Sequence, residues 1–311
     1  MNPLGYYPGC SLTGSAGEYD ISLRAVAKAL DEPLQEIPQW VCCGASCAHA
    51  INHSAAFSLA ADSLFKARRA GMDRVLAPCA MCYSRLAAAV RTAKRNTSMA
   101  HPAMKALAPS ADVDITPLRV INVLTWLKNL PAKVISRRIK QPLQGLKAAC
   151  YYGCLLVRPP AVTGATNVEA PRNMENLVNQ TGAQAVRWSM ASECCGAGFS
   201  LSSKQVVLRQ GRKIYAAARE SGADIIVLAC PMCHSNLDMR QEEFVGYAPP
   251  MPVLYLTQLI GLALGLPEES LGLDRHFVPV EPTLTAVLQT VTNEKSGQVA
   301  PAQSHGAGVR G

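Results

Sequence analysis

Gly71-Met-Asp-Arg-Val-Leu-Ala-Pro-Cys-Ala-Met-Cys82 and Gly222-Ala-Asp-Ile-Ile-Val-Leu-Ala-Cys-Pro-Met-Cys233 run in register at an offset of 151 residues. In each, a glycine precedes a short apolar run that ends on Cys-x-x-Cys. Such a run behind a glycine turn reads as a buried strand of a parallel sheet. An amphipathic pattern precedes each stretch, Ala50 to Ala70 and Lys204 to Ser221, and stops at the same glycine. These are expected helices, each with a glycine C-cap. A further helix is expected after each Cys-x-x-Cys, from near Ser84 and Ser235, and a strand leading into a helix at Arg119 to Lys128 and Val253 to Leu264. The alternation gives α/β layers with the cysteines at a strand's carboxyl end.

Working outward, the repeat includes the other cysteines. Tyr7-Pro8-Gly9-Cys10 resembles Tyr152-Gly153-Cys154, and Cys42-Cys43-Gly44-Ala45 recurs as Cys194-Cys195-Gly196-Ala197. Ten of the twelve cysteines therefore obey one pattern, C–CC–C-x-x-C, written twice. A period near 150 residues is far beyond the roughly 20 to 50 of solenoid repeats and marks a duplicated domain. The expected division is 1–145, 146–295 and a disordered tail 296–311, where Gly, Ala, Gln and Ser show no periodicity. Met99 to Pro117, rich in Ala, Pro and Ser, reads as a loop. Cys47 and Cys150 have no cysteine counterpart and read as packed thiols.

The chain has 311 residues, 49% hydrophobic and 17% charged, which excludes a mainly disordered protein. Its most apolar stretch, Met251 to Leu266, carries Gln258 and falls short of the ~18 residues of a membrane span. The start, MNPLGYYPGC, has neither the basic nor the apolar region of a secretory signal, so the expectation is cytoplasmic. There thiols stay reduced, and metal or redox chemistry accounts for the cysteines better than disulfides do. The formal charge of +8 suits anionic partners, but aromatics at 5% are too few for base stacking, and no nucleic-acid partner is expected.

Ligand number narrows the metal. A structural zinc and an ordinary iron–sulfur cubane each take four protein ligands. Each copy here supplies five cysteines: Cys10, Cys42, Cys43, Cys79 and Cys82, then Cys154, Cys194, Cys195, Cys230 and Cys233. Five suit a cluster more open than a cubane, or a four-ligand site with one thiol free to react. Zinc in one copy stays as an alternative.

These two quintets, at these spacings, resemble the paired cysteine-rich CCG domains in the B-type subunit of heterodisulfide reductase over about residues 5 to 265. The resemblance implies two pseudo-symmetric CCG domains, each a small parallel sheet flanked by helices. It also implies two non-cubane [4Fe–4S] clusters, one per quintet, acting on a disulfide such as CoM-S-S-CoB or, in reverse, on sulfur held by a carrier. Such a protein is an oxidoreductase active within a complex. Its partners would be a ferredoxin-like iron–sulfur subunit of the C type and a flavoprotein subunit of the A type. Related iron–sulfur proteins serve glycolate, lactate and succinate oxidation, so an electron-transfer subunit of a hydroxyacid dehydrogenase is the alternative. Several of those carry a ferredoxin-type C-x-x-C-x-x-C-x-x-x-C-P run, which this chain lacks.

Four other features carry weaker readings. His49 and His53, at i and i+4, face Leu201 and Gln205 in the second copy and read as helix surface or pocket lining. His234, with Tyr83 opposite it, reads either as a donor to a leaving thiolate or as packing. The basic run Lys133, Arg137, Arg138 and Lys140 reads as a solvated helix face, or as a docking surface for the electron donor. Neither a nucleophile elbow nor a G-x-G-x-x-G loop occurs.

Overall fold

The computed structural model describes residues 4–45, 47–95, 113–131 and 133–287. The tail expected at 296–311 and most of the loop expected at Met99 to Pro117 lie outside the described residues.

Eight strands form two sheets. The first contains β1 (Leu4–Tyr6), β2 (Leu34–Glu36), β3 (Arg74–Leu76) and β4 (Arg119–Ile121), in the order β2-β1-β3-β4. The second contains β5 (Lys147–Tyr151), β6 (Gln184–Val186), β7 (Ile225–Leu228) and β8 (Val253–Tyr255), in the order β6-β5-β7-β8. Every pairing is parallel. In each sheet the chain runs to one edge and then crosses back, so the carboxyl ends of the two central strands form a topological switch point. Ligands of open α/β sheets bind there.

Helices cover the sheets because their apolar residues recur at helical spacing. Lys204–Glu220 buries Val207, Gly211, Ile214, Tyr215 and Ala218 on one face. It stops before Gly222, and its counterpart His53–Arg69 stops before Gly71; both glycines have positive φ, +73° and +76°. The expected helix from Ala50 is two helices, Cys47–Ile51 and His53–Arg69. Asn52 separates them in extended geometry, and its side chain accepts from the Ala55 N–H. That is a local N-cap overriding a continuous apolar pattern.

The helices after the Cys-x-x-Cys also begin earlier than expected, at Ala80 and Pro231, with Cys79 and Cys230 as N-caps. Pro231 takes the first helical position, where its missing N–H costs nothing. The second of these helices then widens into a π turn over Ser235–Met239.

The two sheets share a core. One apolar cluster joins Tyr6, Val123 and Trp126 of the first half to Ala149, Leu228 and Leu254 of the second. Ser22 and Thr257 hydrogen-bond at 2.8 Å between helix Gly17–Ala29 and helix Leu256–Ala263. Arg138 donates to the Ala29 carbonyl and pairs with Asp31, closing the carboxyl end of helix Gly17–Ala29. Part of the basic run is therefore a structural tie. Among the described residues no helix is long and apolar enough to cross a membrane.

Candidate functional site

The cysteine loops all leave the carboxyl ends of strands: Cys10 after β1, Cys42 and Cys43 after β2, and Cys79 to Cys82 after β3. The second half repeats this with β5, β6 and β7. Strand register corrects one correspondence. Tyr6 pairs with Leu76 and Cys150 with Val227, and Leu76 and Val227 match at the 151 offset. Tyr6 thus matches Cys150, and Tyr7 matches Tyr151 rather than Tyr152. The hydroxyls agree: Tyr7 donates to the Val41 carbonyl and Tyr151 to the Glu193 carbonyl, both at 2.7 Å. Each tyrosine therefore pins the residue immediately before the Cys-Cys pair.

The sulfurs converge in the same way in both halves. Cys43 and Cys82 lie 3.3 Å apart, and Cys195 and Cys233 lie 3.4 Å apart. Cys154 and Cys194 are 3.9 Å apart, and Cys10 hydrogen-bonds Cys42 at the matching place. Cys79 contacts Cys82, and Cys230 contacts Cys233. These separations are far beyond a disulfide's ~2.05 Å. They are close to the ~3.8 Å between thiolates sharing a tetrahedral metal, given metal–sulfur bonds of about 2.3 Å.

The two sets approach each other at Cys79 and Cys230. Cys79 and Cys230 bear on each other's ionisation across the halves, and the Ala80 N–H faces the Cys230 sulfur. The ten thiols thus lie in one band that spans both halves. Its middle, Cys43, Cys79, Cys82, Cys195, Cys230 and Cys233, is buried, whereas Cys10, Cys42 and Cys194 are exposed at its ends. Cys150 lies apart on β5, where burial, then Glu175, pushes its thiol well up. The side chain of Cys47 lies outside the described residues.

Backbone N–H groups line the band. The positive φ of Gly44 and Gly196, +66° and +83°, turns the chain just after each Cys-Cys pair. N–H groups of Gly44, Ala45, Gly196 and Ala197 then point at the sulfurs, the Gly196 nitrogen 3.3 Å from Cys194 Sγ. Such a nest of N–H dipoles favours anionic sulfur. The Cys194 thiol is brought down to about 6, first by a hydrogen bond from Cys154 and then, against burial, by the N–H groups of Gly196 and Ala197. Cys43 is brought down to about 7, first by Cys82, with help from the Ala45 N–H and the Arg85 charge. Their neighbours move the other way. Cys82 and Cys233 are raised well above the ordinary thiol range by their contacts with neighbouring thiols, Cys43 and Cys195 first, and by burial. The metal-free band therefore holds only part of its sulfur as thiolate, and loading a metal releases the remaining protons.

A depressed thiol is charged above its folded pKa and loses that charge as pH falls through it. Cys194 is both depressed and exposed. In metal-free protein it is expected to alkylate faster than the other cysteines at pH 7, with the rate dropping below about pH 6. Peptide mass spectrometry after timed iodoacetamide exposure reads this directly. Equal labelling of Cys10 and Cys194 would contradict it.

A cleft of about 440 Å³ opens beside the first quintet, bounded by Met81, Met232 and the second-half segment Ala197 to Ser202. Ile51 and Leu201, 84% and 94% exposed, form its lips. Among the described residues its lining holds no lysine or arginine. The basic balance of the sequence does not extend to this mouth.

The other expected site residues sit as follows. His49 and His53 touch edge to face at 4.6 Å, on either side of the break at Asn52. His234 and Tyr83 do not face sulfur. Tyr83 donates to the Thr163 carbonyl, and His234 is buried between Tyr255, stacked at 4.4 Å, and His276.

His234, Asp238 and His276 lie close enough to suggest a metal trio, but their hydrogen bonds favour another arrangement. Gln258 is oriented by accepting from the Tyr255 N–H and donating to the Leu271 carbonyl. It therefore presents its N–H to His276 Nε2 at 2.8 Å. Burial holds His276 down to about 4, hence neutral, so its proton is on Nδ1, facing His234 Nε2 and the Val253 carbonyl. Neither His276 nitrogen is left for a metal, and Asp238 accepts from the N–H groups of Phe277 and Val278.

Two contributors escaped the sequence reading. Asn236 donates toward Cys195 Sγ at 3.6 Å, and Arg85 acts on Cys43. They match at the 151 offset, three residues past each Cys-x-x-Cys. That shared position was the available signal.

The cysteine-rich domain family (CCG) matches residues 4–87 and 148–238. The 8-methylmenaquinol:fumarate reductase membrane anchor subunit of Wolinella succinogenes is 30% identical, over 88% of this chain and 96% of its own. The B-type subunit of the ferredoxin/F(420)H(2)-dependent CoB-CoM heterodisulfide reductase of Methanosarcina acetivorans is also 30% identical, over 89% of this chain and 94% of its own. A hypothetical protein from Helicobacter pylori shares the fold at a TM-score of 0.68 and 12% identity, covering 89% of this chain. This chain spans about half of that structure, 52%.

Proposed function

Given that the chain belongs to the cysteine-rich CCG domain family, as a double-domain member related to the B-type subunit of heterodisulfide reductase, we propose that it is the iron–sulfur component of a multi-subunit redox complex and carries out thiol–disulfide chemistry. The observation that carries the reading is the band of ten sulfurs, five from each half, meeting at Cys79 and Cys230. On this reading the halves divide at 145/146. Cys10, Cys42, Cys43, Cys79 and Cys82 hold one non-cubane [4Fe–4S] cluster, and Cys154, Cys194, Cys195, Cys230 and Cys233 hold the other. When bound, the clusters supply one-electron steps and Lewis-acidic iron for sulfur.

The donor chemistry suits such groups. The sulfurs are at metal-sharing distances, backbone N–H groups face them, and the buried middle excludes water. Gly9 and Gly153 let the chain pass over Cys82 and Cys233, where a Cβ would come within 3.1 and 3.2 Å of sulfur. Reducing a disulfide takes two electrons and two protons and yields two thiols, and two one-electron centres, one held by each quintet, would match that count. The apolar mouth at Ile51 and Leu201 suits a substrate with an apolar arm.

Electrons would come from a ferredoxin-like subunit and a flavoprotein subunit, in analogy with the multi-subunit reductase of the Methanosarcina relative. A second reading, an electron relay that touches no disulfide, draws on the quinol:fumarate reductase named for the Wolinella relative.

The test uses anaerobically reconstituted full-length protein with reduced viologen as donor and a panel of small mixed disulfides. The expected result is about eight iron per chain, two clusters of four, and two thiols released per disulfide consumed. Iron without disulfide turnover, with oxidation of a quinol analogue instead, would establish the relay. Two zinc and no iron would remove both readings.

A further inference from the structure

The chain has nine tyrosines. Tyr247 lies on the surface. The hydroxyls of Tyr6, Tyr7, Tyr83, Tyr151, Tyr152, Tyr215 and Tyr255 each donate to a named oxygen. Tyr19 is different. It is 0% exposed, and its hydroxyl has no hydrogen-bond partner. Among the described residues, the only other buried side-chain polar atom in this condition is Trp126 Nε1.

A buried phenol normally finds an acceptor, because leaving the O–H unpaired costs free energy without return. Tyr19 cannot swing away to find one. Its ring is stacked on Tyr255 at 4.0 Å and 7°, and Tyr255 is stacked on His234, the residue after Cys233. Its backbone sits in the first turn of helix Gly17–Ala29, tied to the second half through Ser22 and Thr257. The ionisable groups that bear on its hydroxyl are Cys230 first and Cys79 second, the two thiols that join the halves. Burial, reinforced by those sulfurs, raises Tyr19 well above the ordinary phenol range, so it remains a donor. Tyr19 shares one buried apolar cluster with Ala80, Cys230 and Cys233, so the acceptor it lacks belongs beside the Cys79–Cys230 junction.

We propose that Tyr19 is a hydrogen-bond donor to sulfur held at the Cys79–Cys230 junction once the iron–sulfur centres are in place, and that it sets the reduction potential of the centre it touches. This rests on the iron–sulfur reading above. A hydrogen bond to cluster or thiolate sulfur stabilises the electron-rich, reduced state and raises the potential.

The test compares full-length wild type, Tyr19→Phe and Tyr255→Phe, reconstituted anaerobically. Iron content, potentiometric titration followed by electron paramagnetic resonance, and urea unfolding of the metal-free forms are measured. Tyr19→Phe is expected to take up the same iron and to shift the reduction equilibrium of one centre about tenfold toward the oxidised form, ~59 mV for one electron. Its metal-free form should be at least as stable as wild type, since the lost hydroxyl has no partner there. Tyr255→Phe, which removes the donor to Glu18 but keeps a ring stacked on Tyr19, should lose stability and shift the potentials far less than Tyr19→Phe. Unchanged potentials in Tyr19→Phe at full iron content would overturn the proposal. So would a marked loss of stability in its metal-free form, which would reveal an internal partner. Wild-type protein that takes up no iron would refute the iron–sulfur reading itself, and this inference with it.

Discussion

Cys43→Ser should lower the iron of reconstituted protein from about eight to about four atoms per chain, with acid-labile sulfide falling in step. Cys43 is buried, touches Cys82 at 3.3 Å and belongs to the first quintet alone. A serine oxygen there is a harder and less readily ionised ligand than thiolate. The second quintet, with Cys195 and Cys233 at 3.4 Å, is untouched. Cys195→Ser should be the mirror image, and the double variant should hold almost no iron. Cys79→Ser and Cys230→Ser should each disturb both spectra, because those two thiols face each other. Full iron in Cys43→Ser would remove that cysteine from the ligand set. Complete loss in the single variant would mean one cooperative centre in place of two.

The second large effect belongs to a glycine. Gly153 has φ +60°, and a methyl group there would lie 3.2 Å from Cys233 Sγ and 3.5 Å from the Tyr151 ring. Gly153→Ala combines a left-handed backbone, worth about 1–2 kcal/mol, with pressure on a sulfur that has no room to retreat. A loss of about 2–4 kcal/mol in metal-free protein is expected, together with loss of iron from the second centre. Gly71→Ala is the control. Its φ is +76°, but nothing lies within 4 Å of the added carbon, so only the backbone cost of about 1–2 kcal/mol should appear. Urea midpoints and iron content measure both. Equal losses in the two variants would show that crowding at Cys233 plays no part.

The paired sheets and the twice-written cysteine pattern were legible because they depend on local order. Apolar runs, glycine stops and cysteine spacing are one-dimensional signals, and duplication wrote each of them twice. What was missed depends on competition or packing. The break at Asn52 arises from a side chain that captures the Ala55 N–H, which a continuous apolar pattern conceals. The early start at Pro231 was available from proline's preference for a first helical position. The π turn over Ser235–Met239, which directs Asn236 at Cys195, has no comparable mark. Tyr19 lies outside every repeated motif, and only its burial and its unpaired hydroxyl single it out. The meeting of Cys79 with Cys230 could not be read from a repeat, since a repeat describes each copy and says nothing of how the copies face. The packing of Trp126 and Tyr6 with residues of the second half decides that.

The junction at Cys79 and Cys230 also bears on how a reductant has to approach. On the proposed iron–sulfur reading, centres held on either side of Cys79 and Cys230 would exchange charge between the halves without a long path through peptide. On that same reading a donor protein would need to dock against one half only, which would leave the mouth between Ile51 and Leu201 free for the substrate.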